Sequence, residues 1–251
     1  MIRRQIPNVL TLSNLLCGIL AIYFLYDLEG STIPILPSLL IIAGAVFDFF
    51  DGFTARVLKV SSPIGKELDS LADVVTFGLA PSLITVELLK SQASFADSSS
   101  LICLIPLFMA LMSAYRLAKF NLDERQSTSF IGLPTPANAL LWLSLPLLVH
   151  LSENKIHLWG LYSEQIYAAI TAFLTNPYFI CLTSLVMAGL LVSELKMFAL
   201  KFKNFTWQDN KVKFIFLISC LVLLFVLNCF AIPFIVLLYI IISIITNTFK
   251  R

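Results

Sequence analysis

The chain has 251 residues, of which 59% are hydrophobic and 13% are charged, and its formal net charge is +2. A soluble globular domain carries about 25% charged residues, and a nucleic-acid-binding module needs a larger positive charge, so both classes are excluded. The two histidines and five scattered cysteines leave little material for a histidine-based triad or a thiolate zinc site. The composition therefore predicts a polytopic membrane protein.

Apolar runs long enough to span a bilayer occur eight times along the chain. We therefore predict an all-α, polytopic membrane helical bundle with about eight transmembrane helices. The first helix follows Arg3 and Arg4 and lacks an A-x-A-like cleavage site at its end, so we expect it to be retained. The semi-polar segment 152–176 is compatible with an amphipathic helix on the membrane surface. The predicted spans are 9–26, 33–50, 70–89, 101–118, 134–151, 177–195, 213–230 and 232–248.

The first span carries an unusual polar pattern. Asn8, Thr11 and Asn14 recur every three residues, which places them near one another on one helix face. Because polar side chains are costly against lipid, this face should point into the protein. Such a stripe is compatible with hydrogen bonds between helices or with one wall of a polar site.

Lysine and arginine are distributed very unequally between the two sides of the predicted bundle. With the N-terminus inside and eight spans, only Lys90 and Lys155 fall outside, which leaves 15 of the 17 basic residues inside. The positive-inside rule assigns the richer side to the cytoplasm. Both termini should therefore be cytoplasmic.

Four aspartates interrupt the apolar pattern around the turn between the second and third predicted spans: Asp48, Asp51, Asp69 and Asp73. Carboxylates at membrane depth are costly and rare, so the group predicts a functional site. The first two are three residues apart and the last two are four apart, so each pair occupies one face of its helix.

The connection between these two helices is short. Ser62 followed by Pro63 predicts the N-cap and first residue of the third helix, which leaves a turn of a few residues around 57–61. The two helices then form an antiparallel hairpin, in which two layers of carboxylates face each other. The layers pair Asp48 with Asp73 and Asp51 with Asp69.

Four carboxylates this close repel one another unless cations balance them. Arg56 and Lys66 supply at most two positive charges nearby. Because all-oxygen sites suit hard divalent cations, we predict Mg²⁺ or Mn²⁺ at this position. Gly52, Ala55 and Gly65 lie between the acids, where small side chains allow close approach of a ligand or of a neighbouring helix.

This stretch reads D-x2-D-G-x2-A-R-x8-G-x3-D-x3-D, and it resembles the signature of the CDP-alcohol phosphatidyltransferases at every specified position. The positions are Asp48, Asp51, Gly52, Ala55, Arg56, Gly65, Asp69 and Asp73. The resemblance implies a six-helix membrane core and transfer of a phosphatidyl group from a CDP-linked lipid to an alcohol, with release of CMP. We expect this core at residues 1–195, followed at 196–251 by a cytoplasmic basic loop and two further transmembrane helices.

The same resemblance implies roles for individual residues. It implies metal ligation by Asp48, Asp51 and Asp69, and makes Asp73 the general base and a further contact to metal. It implies CDP binding by Asn8, Thr11, Asp48, Gly52, Ala55, Arg56 and Gly65. The site would lie at the cytoplasmic face of a bacterial-type inner membrane.

Three further segments resemble one branch of the family, the bacterial and archaeal phosphatidylserine synthases. They are IPNVLTLSNLLCG near the N-terminus, SAYRLAKFN at 113–121 and FIGLPTPANA at 130–139. This implies CDP-diacylglycerol as donor and L-serine as acceptor, with Arg116 binding the serine carboxylate. Lys119, a second expected serine contact, stands where the branch leads us to expect arginine. Glycerol-3-phosphate and inositol remain alternative acceptors, and the oligomeric state, including a homodimer, is open.

Two other classes of membrane protein also place acids in apolar helices. A transporter usually holds them near the bilayer midplane, on broken helices or repeats. An intramembrane prenyltransferase would need two separated aspartate motifs. The single cluster at the end of one hairpin disfavours both classes.

Overall fold

The computed structural model describes residues 5–27, 34–60, 62–92, 101–123, 130–155, 164–198 and 206–248. These residues form an all-helical bundle with one two-stranded ribbon, which confirms the predicted fold class. The helices are α1 (Ile6–Asp27), α2 (Leu36–Leu58), α3 (Pro63–Asp73), α4 (Ala80–Lys90), α5 (Leu107–Leu122), α6 (Thr135–Glu153), α7 (Glu164–Leu174), α8 (Pro177–Val192), α9 (Trp207–Leu227) and α10 (Ala231–Thr248). A π-helix (Val74–Leu79), two 3₁₀ turns (Leu101–Leu104, Asn228–Phe230) and the strands β1 (Phe130–Ile131) and β2 (Lys196–Met197) complete the order.

Five helical stretches in these described ranges are long and apolar enough to cross a membrane. A sixth arises if α7 and α8, which are bent by 61° at their junction, count as one span. Helix α7 lies within segment 152–176, for which a surface helix was expected; residues 156–163 of that segment lie outside the described residues. The five stretches are Ile6–Asp27, Leu36–Leu58, Pro63–Lys90, Leu101–Leu122 and Asn210–Asn247.

Two features account for the difference from the predicted eight spans. The last stretch covers both final predicted spans and is folded back on itself, since the rings of Phe216 and Tyr239 lie 5.9 Å apart, whereas 23 residues of straight helix would separate them by about 35 Å. Helix α6, at the predicted span 134–151, carries Asn138, Ser144 and His150 and is not among the five. Helices stand at all eight predicted positions, while five stretches, or six with the bent α7–α8 pair, are long and apolar enough to cross a membrane.

Helix α1 packs against α2 and α3 and turns its polar stripe towards them. Thr11 and Asn14 are buried and Asn8 is half-buried, whereas Leu12 and Leu16 on the other face are about half exposed. Polar side chains are costly against lipid, so a helix in a bilayer is more stable with its polar face against the protein and its apolar face towards the lipid, as observed here. The prediction that the stripe faces the protein interior is confirmed.

The connection between α2 and α3 follows the predicted turn closely. Helix α2 ends at Leu58, and Lys59 adopts a left-handed conformation with φ of 52°. The Ser62 hydroxyl then accepts a hydrogen bond from the backbone N–H of Gly65 at 3.0 Å, and Pro63 is the first helical residue. An N-cap of this kind stabilises a helix by about 1 kcal/mol, so it fixes where α3 begins and confirms the predicted cap.

The ribbon joins the middle of the chain to its C-terminal part. Strands β1 and β2 pair antiparallel, and the N–H of Gly132 donates to the carbonyl of Leu195 at 2.8 Å. Beyond β2, the Tyr239 hydroxyl of α10 donates to the carbonyl of Phe198 at 3.1 Å. These bonds tie α10 to the segment between α8 and α9.

Gly132 should be the glycine in this region that tolerates substitution least. Its φ is +75°, and a Cβ there would meet the carbonyl oxygens of Leu191 and Ser193. We expect Gly132→Ala to destabilise the protein by more than about 1 kcal/mol, because alanine fits neither the conformation nor the space. Thermal unfolding in detergent measures the effect. Gly189→Ala is the matched control, since no atom lies within 4 Å of that Cβ position; equal melting temperatures for the two variants would contradict the prediction.

Candidate active site

Three carboxylates converge where the ends of α2 and α3 approach each other. Asp48, Asp51 and Asp69 each offer an oxygen, and these oxygens lie within 4.8 Å of one another. We refer to them as the three-carboxylate site. Asp51 is 7% exposed, and Oδ1 of Asp69 is buried without a hydrogen-bond partner. The site is therefore a set of carboxylate acceptors of which at least one oxygen, Oδ1 of Asp69, is buried without a donor.

The nearby basic residues are directed elsewhere. The Arg56 Nε donates to the carbonyl of Gly52 at 2.9 Å, and the Lys66 Nζ donates to the carbonyl of Asn121 at 2.9 Å. Within the described ranges, no ion pair reaches the three acids. A donor set of carboxylate oxygens with uncompensated charge fits a hard divalent cation, so the residues present are suited to hold one.

Asp73 lies one turn beyond Asp69 and outside the three-carboxylate site. It is buried, and its Oδ1 accepts a hydrogen bond from Asn14 Nδ2 at 3.2 Å. The π-helix begins at the next residue, Val74, and such local departures from α-helical geometry are frequent at functional sites. Three of the four predicted acids therefore share one site, while Asp73 lies within electrostatic reach of all three and accepts its hydrogen bond from α1.

Helix α1 also reaches the three-carboxylate site. The Thr11 hydroxyl lies 2.6 Å from Oδ2 of Asp51 and 3.0 Å from the carbonyl of Pro7. A hydroxyl has one proton, and the shorter distance to a carboxylate favours donation to Asp51. Thr11 therefore orients this acid.

A cavity of about 250 Å³ opens between the N-terminal end of α1 and the α2–α3 connection. We call it the α1–α3 pocket. Its lining includes most of the residues expected to bind CDP, while Asp48 and Arg56 lie outside the lining. Its walls are Pro7, Asn8, Thr11, Asp51, Gly52, Ala55, Val60, Ser62, Gly65, Lys66 and Asp69.

Two glycines shape this pocket in different ways. A Cβ on Gly65 would lie 2.9 Å from Ser62 Oγ and 3.0 Å from Asn8 Oδ1, so α1 approaches α3 as closely as a glycine allows. A Cβ on Gly52 would meet nothing within 4 Å. Gly65 therefore closes the wall of the pocket, whereas Gly52 leaves space free in front of the backbone.

The two residues expected to bind serine lie in different surroundings. Arg116 on α5 is 7% exposed, its Nε has no hydrogen-bond partner, and Asp73 lies within electrostatic reach. Lys119, one turn further along α5, pairs with Glu194 near the ribbon and is partly exposed. Only Arg116 is buried beside the acids.

Some residues at the site were not anticipated from the sequence. Pro7, Val60, Ser62 and Lys66 line the pocket; Ser62 was predicted as a helix cap and Lys66 as a nearby charge, but none of the four was predicted to line a pocket. Asn121 anchors Lys66 and also donates to Ser70 Oγ at 2.9 Å. The sequence pointed to Asn121 only because it is the last residue of the segment SAYRLAKFN, which resembles one branch of the family.

The sequence matches a known protein family over more than half of its length. The family model for CDP-alcohol phosphatidyltransferases matches residues 4–177. The chain belongs to the CDP-alcohol phosphatidyltransferase family. The matched region contains every predicted site residue, from Asn8 to Lys119, and ends where α8 begins.

Several curated relatives carry the name CDP-diacylglycerol–serine O-phosphatidyltransferase. The Bacillus subtilis protein is 39% identical over 132 residues, which cover 52% of this chain and 69% of that protein. The protein of Helicobacter pylori strain J99 is 32% identical over 170 residues, 67% of this chain and 66% of the relative. The Methanocaldococcus jannaschii protein is 34% identical over 136 residues, 54% of this chain and 57% of the relative. The chain thus aligns with about two thirds or less of each relative's length.

Metal binding can be tested without turnover. We expect the purified protein to bind Mn²⁺, followed by electron paramagnetic resonance, and Asp69→Asn to weaken this binding at least about 10-fold, because one charged ligand oxygen is lost. Asp27→Asn is the matched control, since Asp27 is an exposed acid at the other end of α1. Equal Mn²⁺ affinity in both variants would rule out the three-carboxylate site as the binding position.

Proposed function

We propose that this protein transfers the phosphatidyl group of CDP-diacylglycerol to the hydroxyl of L-serine, giving phosphatidylserine and CMP. The observation that carries the proposal is the three-carboxylate site beside the α1–α3 pocket, built from the signature of the family. The names of the relatives support serine as the acceptor.

In this proposal Asp48, Asp51 and Asp69 hold a divalent cation, Mg²⁺ or Mn²⁺. When bound, the cation would neutralise negative charge that develops on the pyrophosphate during the displacement. Thr11 keeps Asp51 turned towards the site by its hydrogen bond. The CDP group occupies the adjoining pocket, where Gly52 and Ala55 leave room beside the backbone and Asn8 offers an amide.

Arg56 takes part from the rim of the pocket. Its Nε is bound to the carbonyl of Gly52, which leaves the terminal nitrogens of the exposed guanidinium available to a phosphate. Lys66 lines the pocket and carries a second positive charge. Both cations can stabilise the two phosphates of the donor.

Asp73 is the general base of the proposed reaction. One of its oxygens accepts the proton of the serine hydroxyl while the serine oxygen forms a bond to the lipid-side phosphorus. The bond between that phosphorus and the CMP oxygen breaks, and CMP leaves with the electron pair. Burial of Asp73 and its bond to Asn14 hold the carboxylate away from water.

Arg116 binds the carboxylate of serine. It is buried, it lies within electrostatic reach of Asp73, and its unpartnered Nε can donate to an anionic oxygen. Lys119 already pairs with Glu194, so it is the weaker candidate for the same role.

The proposal also states on which side of the membrane the active site lies and which residues form the catalytic core. The α1–α3 pocket lies at the end of the bundle that the positive-inside rule assigns to the cytoplasm, where cytidine and serine are dissolved. Residues 1–195 form the catalytic core, and 196–251 form the basic loop and the last two spans. Arg3, Arg4, Arg125, Lys201, Lys203, Lys250 and Arg251, which contribute to this orientation, lie outside the described residues.

The acceptor is tested by offering CDP-diacylglycerol to the purified protein with serine, glycerol-3-phosphate or inositol in turn. We expect CMP release with serine, loss of release in excess chelator, and its return with Mg²⁺ or Mn²⁺. Asp48→Asn serves as the inactive control. Release with another acceptor but not with serine would change the assigned substrate, and full turnover in excess chelator would contradict the role of the cation.

The role of Arg116 predicts a selective kinetic defect. Arg116→Gln should raise the KM for serine on the order of 10- to 100-fold, because a charge-assisted hydrogen bond is lost, while the KM for CDP-diacylglycerol changes little. Arg116→Lys, which keeps the charge, should lose less. Lys119→Gln is the comparison variant with a smaller expected effect on serine. A rise in the KM for CDP-diacylglycerol instead would place Arg116 on the donor side.

A further inference from the structure

The polar stripe of α1 contacts two of the four acids individually. Thr11 donates to Asp51, and Asn14, one turn further along, donates to Asp73. The first contact belongs to the three-carboxylate site. The second reaches the one acid that lies outside it.

Asn14 is fixed from several directions. It is 0% exposed, and its carbonyl accepts a hydrogen bond from Thr76 Oγ1 at 3.0 Å, which ties α1 to the π-helix after Asp73. A Cβ on Gly44 would lie 3.0 Å from Asn14 Oδ1, so α2 confines the other side of the amide. The side chain therefore has little freedom to turn away from Asp73.

The hydrogen bonds of the Asn14 amide are uneven. Its Nδ2 donates to Oδ1 of Asp73, whereas its Oδ1 is buried without a partner. A buried side-chain amide whose oxygen has no hydrogen-bond partner costs free energy. An ionised carboxylate only accepts hydrogen bonds, and the Nδ2 group of Asn14 is a donor. The hydrogen bond from Asn14 is therefore compatible with the ionised form of Asp73, which is the form that can accept a proton.

The same bond orients the carboxylate of Asp73. Donation by Asn14 to Oδ1 restricts rotation of the carboxylate and so sets the directions in which its remaining lone pairs can receive a proton from the acceptor hydroxyl. We propose that Asn14 is a positioning residue for the transfer reaction, one that orients the Asp73 carboxylate by donating to Oδ1. This rests on the proposed function, in which Asp73 is the base.

The competing explanation is that Asn14 only joins α1 to α3, as buried amides do in membrane bundles. The two roles differ in what the loss of the amide affects. A structural role would disturb stability, metal binding and substrate binding together. A positioning role acts through one carboxylate and so affects the chemical step.

The test compares Asn14→Leu with a control variant, Ser13→Ala, which removes a hydroxyl that donates to the carbonyl of Val9 on the same helix. We expect kcat to fall on the order of 10- to 100-fold in Asn14→Leu, as misplacement of a reacting group costs. The KM for CDP-diacylglycerol and the Mn²⁺ affinity should stay within about twofold of the wild type. If Asn14→Leu does not fold, Asn14→Ala replaces it, since the smaller side chain cannot collide with Gly44.

A double-mutant cycle with Asp73→Asn separates the two explanations further. If Asn14 acts through Asp73, adding Asn14→Leu to Asp73→Asn should lower the residual rate by less than about twofold. A full additional loss, an unchanged kcat in the single variant, or a parallel fall in Mn²⁺ affinity would each overturn the proposal. The kcat ratios of the variants to the wild type are measured with the alcohol that supports CMP release by the wild type. If serine does not support CMP release but another alcohol does, the assigned acceptor is wrong, and the role of Asn14 is still tested with that other alcohol.

Discussion

The cost of burying carboxylates in apolar helices is the constraint on which this structure depends. Three acids with oxygens within 4.8 Å of one another repel strongly, and a membrane offers no water to reduce that repulsion. A cation that offsets this charge has less ordering to do if the acids are already held together in its absence. The hairpin connection, with the Ser62 cap and Pro63 at the start of α3, provides this by fixing the register of the two acidic helices.

Helix α1 supplies the donors that this arrangement needs. Thr11 and Asn14 lie one turn apart on α1, and each donates to one carboxylate oxygen, of Asp51 and of Asp73. Such contacts require close approach of the backbones. A Cβ on Gly18 would meet Thr76 Oγ1 at 2.5 Å, and one on Gly44 would meet Thr76 Cγ2 at 2.8 Å. Small residues thus serve the site by allowing polar side chains to reach it.

The part of the chain beyond the family match is connected to the site through the ribbon. Glu194 pairs with Lys119 on α5, and Phe198 accepts a hydrogen bond from Tyr239 on α10. Both contacts lie close in sequence to β2, which pairs with β1. The last helices are therefore packed against the same framework that carries Arg116, although residues 199–205 lie outside the described part of the chain.

The local order of residues was sufficient to predict much of this protein. Hydropathy located a helix at each of the eight predicted spans, and the spacing of Asn8, Thr11 and Asn14 placed them on an inward face. The cap at Ser62 and the proximity of Asp51 and Asp69 also followed from the sequence, because helix periodicity and turn chemistry act over a few residues. These features can be predicted because they depend only on residues that lie within a few positions of one another in the chain.

Long-range packing decided the rest. The sequence placed Asp73 level with Asp48, and the tertiary structure keeps it within electrostatic reach of Asp48, but the hydrogen bond that it accepts from Asn14, 59 residues earlier in the chain, could not be predicted. The sequence also favoured Arg116 over Lys119 as the serine contact only because lysine stands where arginine is expected, and it did not predict that Lys119 meets Glu194, 75 residues away, while Arg116 stays buried. Helix spacing tells which side chains share a face but not which partner that face meets, and the partner determines which polar group is satisfied and which remains available to a ligand.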